Sequence, residues 1–141
     1  MTEVLPRFGV VVLTMGRRPE ELDRGVRSVL AQEGVQADVV VVGNGWQPEG
    51  LPDGVRGLGL PENIGIPAGR NAGVPHVAGD LLFFLDDDAW LPDPGFLRTL
   101  ADRFAIDPDL GLVQPRVVDP TGVPSPGRWV ASPGRPRRRP S

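Results

Sequence analysis

The chain has 141 residues, 40% of them hydrophobic, with 18 acids against 15 arginines, no lysine, no cysteine and a net charge of −3. That length suits one domain or part of one. The lack of cysteine excludes a disulfide framework and thiolate metal sites, and no apolar run approaches the ~18 residues a bilayer span needs. Met1 to Arg7 and the short Phe8–Leu13 run carry no signal-peptide pattern, so a cytoplasmic protein, or one at the inner face of the membrane, is expected. The charge is uneven: residues 1–123 hold all 18 acids and 10 arginines, and residues 124–141 hold 5 arginines and no acid. An all-arginine basic complement beside abundant Gly, Pro and Ala reads as a compositional bias and supports no function.

In chain order, Phe8–Leu13 predicts a first buried strand. Pro19 suits the first position of a helix, with Glu20 and Glu21 in its positively polarised first turn. Leu22, Val26, Val29 and Leu30 recur at helical spacing and carry that helix to about Gln32. Asp38–Val42 predicts a second strand, ended by Gly43-Asn44-Gly45, and Val55–Leu60 a short third. Ile66–Val77 reads as a second helix, broken near its end by Pro75. Asp80–Leu85 predicts a fourth strand, Phe96–Phe104 a third helix, and Leu110–Val118 a fifth strand, with Pro115 at an edge or bend.

The order βαββαβαβ implies a mostly parallel sheet covered by helices. Continuous Val and Leu runs agree, because parallel strands are buried on both faces. Residues 1–123 are therefore read as one α/β domain. Residues 124–141, with five prolines, five arginines and little to bury, are read as a disordered tail. The Arg135–Arg139 cluster could meet nucleic acid or anionic lipid; a solvated tail is the preferred reading, and no nucleic-acid partner is expected.

The fourth strand ends in Asp86-Asp87-Asp88. Three crowded carboxylates repel one another and become favourable around a divalent cation. Mg²⁺ and Mn²⁺ take oxygen ligands and often share them with a substrate phosphate. The triplet reads as a metal-assisted phosphate site at the carboxyl end of a strand, where open α/β sheets bind ligands; an acidic turn before the next helix is the plainer alternative. Three further segments fall at the same sheet edge: Thr14-Met15-Gly16-Arg17, Gly43-Asn44-Gly45 and Glu62-Asn63-Ile64-Gly65. Arg70 and Asn71 sit in a small-residue helix, where a guanidinium could hold a phosphate or the triplet; a surface arginine is the alternative. His76 follows Pro75 at a helix end and reads as a dipole-favoured cation rather than a catalyst. Trp46 and Trp90 read as packing or as stacking platforms, and Trp129 gives no clear reading.

Together these segments resemble family 2 glycosyltransferases. Val12-Leu13-Thr14 through Arg18-Pro19-Glu20-Glu21-Leu22 is similar to the family's first strand and helix, and Val39–Asn44 to its second-strand motif. Asn63-Ile64-Gly65 through Arg70-Asn71-Ala72-Gly73 resembles its N-x-G-x-x-x-x-R-N-x-G segment. Asp86-Asp87-Asp88 with Leu91-Pro92 resembles its D-x-D motif and the proline after it. Leu110–Val113 and Pro115-Arg116 also look familial. The resemblance covers roughly residues 8–123 and four motifs in order.

The resemblance implies a GT-A fold, a Rossmann-like nucleotide-binding domain. It implies sugar transfer from a nucleotide-diphosphate sugar, usually with inversion, with Mg²⁺ or Mn²⁺. Asp88 then ligates the metal, Asp86 contacts the ribose or shares the metal, and Asp87 flanks them. Asn63, Gly65, Arg70 and Asn71 belong to the donor pocket, and Thr14 and Asn44 lie near the base. The acceptor is a glycan, a lipid or a small molecule. Peripheral membrane association and oligomerisation stay open.

Two departures stand out. Gly43 replaces the acid the family often uses to read the base. No acid follows Trp129, so no general base for the acceptor is found. The sheet is expected to be incomplete on the acceptor side, and the ending reads as a truncated or frame-shifted reading frame. A fragment that binds nucleotide and metal without turnover is the competing reading. An aspartate-nucleophile phosphatase expects its Asp pair after the first strand, and a sugar nucleotidyltransferase expects a Gly-rich basic loop there; neither fits Thr14–Arg18. Uncovered apolar surface predicts association or poor solubility.

Overall fold

A computed structural model describes residues 4–119. It contains β1 (Arg7–Thr14), α1 (Pro19–Leu30), β2 (Gln36–Asn44), β3 (Arg56–Leu60), α2 (Ile66–Gly73), a 3-10 turn (Val74–His76), β4 (Leu81–Asp86) and α3 (Phe96–Ile106). Of the described residues, those up to Asp107 form one compact unit, and those from Pro108 to Asp119 belong to a second. The predicted tail at 124–141, with Trp129 and the Arg135–Arg139 cluster, lies outside the described residues.

The four strands pair in parallel in the order β3-β2-β1-β4. The register alternates side chains between the two faces. Val10, Val12, Val39 and Val41 are buried on one face, and Val11, Val40 and Val42 on the other. This two-sided burial explains why β1 and β2 read as unbroken Val runs.

α2 rests on the Val11 face. A Cβ at Gly73 would lie 2.7 Å from Val11 Cγ1 and 2.9 Å from Val42 Cγ2, and one at Gly69 would lie 2.7 Å from Leu13 Cδ1. The glycines therefore let this helix backbone approach the sheet closely. α1 lies on the other face. Its Gly25 is near Leu85 of β4, and Leu22, Val26 and Val29 are buried.

Some element ends differ from the sequence expectation. α1 stops at Leu30 rather than Gln32, because Gln32 ties this end to α3. Its side chain donates to the Asp93 carbonyl at 2.8 Å and accepts from the Leu97 amide at 2.9 Å. α2 stops at Gly73 rather than Val77. Pro75, which has no N–H to donate, sits in the 3-10 turn that follows.

Two readings are corrected. β4 is not buried on both faces. It is the outer strand of the described sheet, and α2 packs mainly against β1 and β2, reaching β4 at its end through the Arg70–Asp86 ion pair. Leu82 and Phe84 are 49% and 40% exposed on the α2 side, while Leu85 on the α1 side is buried. Phe83, also on that side, meets Phe96 of α3 edge-on at 6.1 Å. The second correction concerns Leu110–Val118, which forms no strand: only Val118 makes an isolated bridge, and Leu112 is exposed. Pro115 supplies no ladder N–H, and no side chain from Leu110 to Val118 is buried.

Candidate functional site

The four predicted segments do gather at the carboxyl edge of the sheet. β1 ends at Thr14 and β4 at Asp86, with Leu13 paired to Asp86 in the register. β2 ends at Asn44 and β3 at Leu60. Each member of the acidic triplet is engaged by a different residue.

Thr14 is 2% exposed, and its hydroxyl donates to Asp87 Oδ2 at 2.9 Å. The Thr14 hydroxyl oxygen in turn accepts the Gly16 amide at 3.0 Å. Gly16 turns the chain at φ +75, a conformation that favours glycine. Arg18, the residue before α1, reaches Asp88 Oδ2 through Nη1 at 2.9 Å and Glu21 at 3.7 Å. Arg70, from α2, donates to Asp86 Oδ1 at 2.7 Å. The triplet is thus flanked by one guanidinium from each face of the sheet, while a buried hydroxyl fixes its middle carboxylate.

Asn44 and Asn63 shape the neighbouring loop. Asn44 is 5% exposed; its amide nitrogen donates to the Gly65 carbonyl at 3.1 Å and its oxygen accepts from the Ile64 amide at 2.9 Å. Both ends of that side chain hold the loop. Asn63 accepts the Gly65 amide at 2.9 Å and points its nitrogen at the Met15 sulfur at 3.3 Å. Gly65 has φ +86, and Asn71 is exposed on α2.

Trp46 packs against Gly16, and its carbonyl lies where a Cβ on Gly43 would project. A side chain at position 43 is therefore excluded by the path of the loop. Gly45, Trp46, Gln47, Gly59, Leu60 and Pro61 line an open cleft of about 320 Å³. Trp90 carries the Arg24 guanidinium over its ring at 5.0 Å, which is a packing role. His76 precedes β4, away from the triplet, and its carbonyl accepts from Arg56 at 2.7 Å.

Among the described residues no group of three or more His, Asp or Glu side chains is gathered as a ready cation cage. The donor chemistry nonetheless fits a hard cation. Asp86 and Asp88 offer carboxylate oxygens on side chains 40% and 39% exposed. Mg²⁺ is commonly held by one or two carboxylates with water and substrate phosphates completing the shell. Arg18 is the participant that sequence reasoning did not assign. Its signal was present: a basic residue between a strand and a helix, at the edge where acids from another strand converge.

Solved glycosyltransferases share this architecture. The mannosyltransferase PcManGT from Pyrobaculum calidifontis, in complex with GDP-Man and Mn²⁺, superposes with a TM-score of 0.63 at 21% identity, over 77% of this chain and 34% of that one. S. aureus TarS 1-349 in complex with UDP gives a TM-score of 0.59 at 19% identity, over 77% of this chain and 38% of that one. The fold is that of the GT-A glycosyltransferases.

The profile of glycosyl transferase family 2 matches residues 10–138, and the chain belongs to that family. The glucosyl-dolichyl phosphate glucuronosyltransferase of Haloferax volcanii is 33% identical over 121 residues, 79% of this chain. The chain spans 38% of the length of that relative. No helix among the described residues is long and apolar enough to cross a membrane.

Proposed function

We propose that the chain binds a nucleotide-diphosphate sugar at the carboxyl edge of its sheet and serves metal-assisted, inverting transfer of the sugar to an acceptor hydroxyl. The observation that carries this reading is the meeting of Asp86-Asp87-Asp88 with Arg18 and Arg70 at 2.9 and 2.7 Å. Acidic and basic groups side by side suit a cation and a diphosphate bound together.

Asp86 and Asp88 would hold Mg²⁺ or Mn²⁺, which supplies charge neutralisation for the departing diphosphate. Asp87, fixed by Thr14, holds the triplet to β1 and flanks the bound donor. Asn44 shapes the loop that carries Asn63 and Gly65, and these with Thr14 border the nucleoside. Arg70 and Asn71 form the α2 side of the donor pocket. No residue is assigned as the acceptor's general base. Of the acceptor classes, a lipid-linked one is favoured by the name of the Haloferax relative.

A second reading has its own support. Because the chain spans 38% of that relative, these residues fit a donor-binding portion that holds nucleotide and metal without turnover. Isothermal titration with UDP and GDP, with and without Mn²⁺, on the wild type and Asp88→Ala tests the donor site directly. Metal-dependent binding that Asp88→Ala abolishes is expected; folded protein that binds neither nucleotide overturns the donor site. A transfer assay on the binding-competent chain then separates the two readings.

A further inference from the structure

Arg18 occupies an unusual position. It stands immediately before α1, and its side chain makes no cap hydrogen bond. Its guanidinium lies between Asp88 at 2.9 Å and Glu21 at 3.7 Å, and the Arg18 and Asp88 side chains are 54% and 39% exposed. An ion pair this exposed is weak and easily exchanged. Arg70 is set differently: it projects from a helix whose glycines lie against the sheet, and its own side chain is less exposed, at 38%.

Charge counting gives the consequence. Among the described residues, four carboxylates (Glu21, Asp86, Asp87 and Asp88) and two guanidiniums (Arg18 and Arg70) leave the ligand-free edge with two net negative charges. A divalent cation alone would neutralise that charge and would compete with Arg18 for Asp88. A diphosphate arriving with the cation brings negative charge back to the edge and offers Arg18 a new partner. The planar guanidinium matches a phosphate in geometry as well as in charge.

We propose that Arg18 is an exchangeable phosphate clamp. In the ligand-free chain it is held by Asp88; when a cation takes Asp88, Arg18 turns to the diphosphate. This inference rests on the donor-site reading and adds to it a residue and an order of events. It makes cation and nucleotide mutually dependent, since each raises the other's affinity by the same factor.

The test is calorimetry on the full 141-residue chain with Mn²⁺ alone, and with UDP and GDP at saturating Mn²⁺, for wild type, Arg18→Gln and Arg18→Lys. Arg18→Gln is expected to bind Mn²⁺ alone up to about fivefold more tightly, because the competing ion pair is gone. It is expected to bind nucleoside diphosphate roughly tenfold more weakly, because a charge-assisted hydrogen bond is gone. Arg18→Lys, which keeps charge without the fork, falls between. Changes of opposite sign are the signature, since a merely structural role weakens both. Variants that weaken both, or change neither, overturn the clamp while leaving the donor site intact. A folded wild type that binds neither nucleotide overturns the donor site and the clamp together.

Discussion

Thr14 and Asp87 are separated by 73 positions in the chain and by 2.9 Å between side-chain oxygens. This bond joins the first strand to the turn after the last, and it fixes the middle carboxylate of the triplet. Thr14→Val is expected to destabilise the fold by about 1 kcal/mol, the usual net worth of one such hydrogen bond. Asp87→Ala, which removes the acceptor, should cost a similar amount, and the double variant little more than either. Urea unfolding of the four proteins measures the coupling; strictly additive losses mean the two side chains do not act as a pair.

Asp86 and Asp88 should behave differently. Their ion pairs with Arg70 and Arg18 involve side chains 38–54% exposed, so solvent screening leaves each pair worth at most about 1 kcal/mol. Asp86→Asn and Asp88→Asn are expected to keep that stability within about 1 kcal/mol and to lose Mn²⁺-dependent nucleotide binding. Thermal melts beside calorimetry check it. A variant that unfolds, or one that binds normally, contradicts the assignment of that carboxylate.

Gly43 is constrained by the Trp46 carbonyl. Gly43→Ala forces this loop to move, at a cost of about 1–3 kcal/mol by analogy with overpacked cores. Trp46 leaves its place on Gly16 in consequence. A shift in tryptophan emission that is absent from a Trp46→Phe background identifies that movement; unchanged emission and stability show that the loop yields freely.

Gly73→Ala tests the seat of α2. Alanine favours a helix over glycine by about 1 kcal/mol, yet its Cβ would meet stiff valine side chains at 2.7 and 2.9 Å. Destabilisation of about 1–3 kcal/mol is expected, because packing outweighs propensity. A more stable variant shows that the helix can lift from the sheet without penalty.

Leu82 and Phe84 leave an apolar stripe on β4. Self-association of the isolated chain is expected through it. Leu82→Asp and Phe84→Asp should shift sedimentation toward monomer with little loss of secondary structure. Association unaffected by either charge places the contact elsewhere.

The sheet was readable because its valines are buried on both faces, which leaves no competing periodicity in β1 and β2. The carboxyl-edge grouping was readable because strand ends in a parallel sheet converge whatever the loops do. β4 misled because continuous apolar sequence does not state whether a helix covers each face. Leu110–Val118 misled because a run of apolar residues around Pro115 has β composition, yet among the described residues only Val118 reaches a bridge. Arg18 was missed as a participant because its partner lies 70 positions away, and nothing local to Arg18-Pro19-Glu20 names Asp88.

The strand order has a consequence for how the molecule is made. β1 lies between β2, which follows it closely, and β4, which arrives only after α2. On a ribosome, the first sixty residues can supply three strands and α1, but no acidic triplet. Closing β4 onto β1 is the long-range step, and such steps are slow because loop entropy is spent before contacts form. The edge that carries the acidic triplet therefore comes into being with that closure, and if the proposed donor site is right, nucleotide capture by a nascent chain would time the moment β4 joins the sheet.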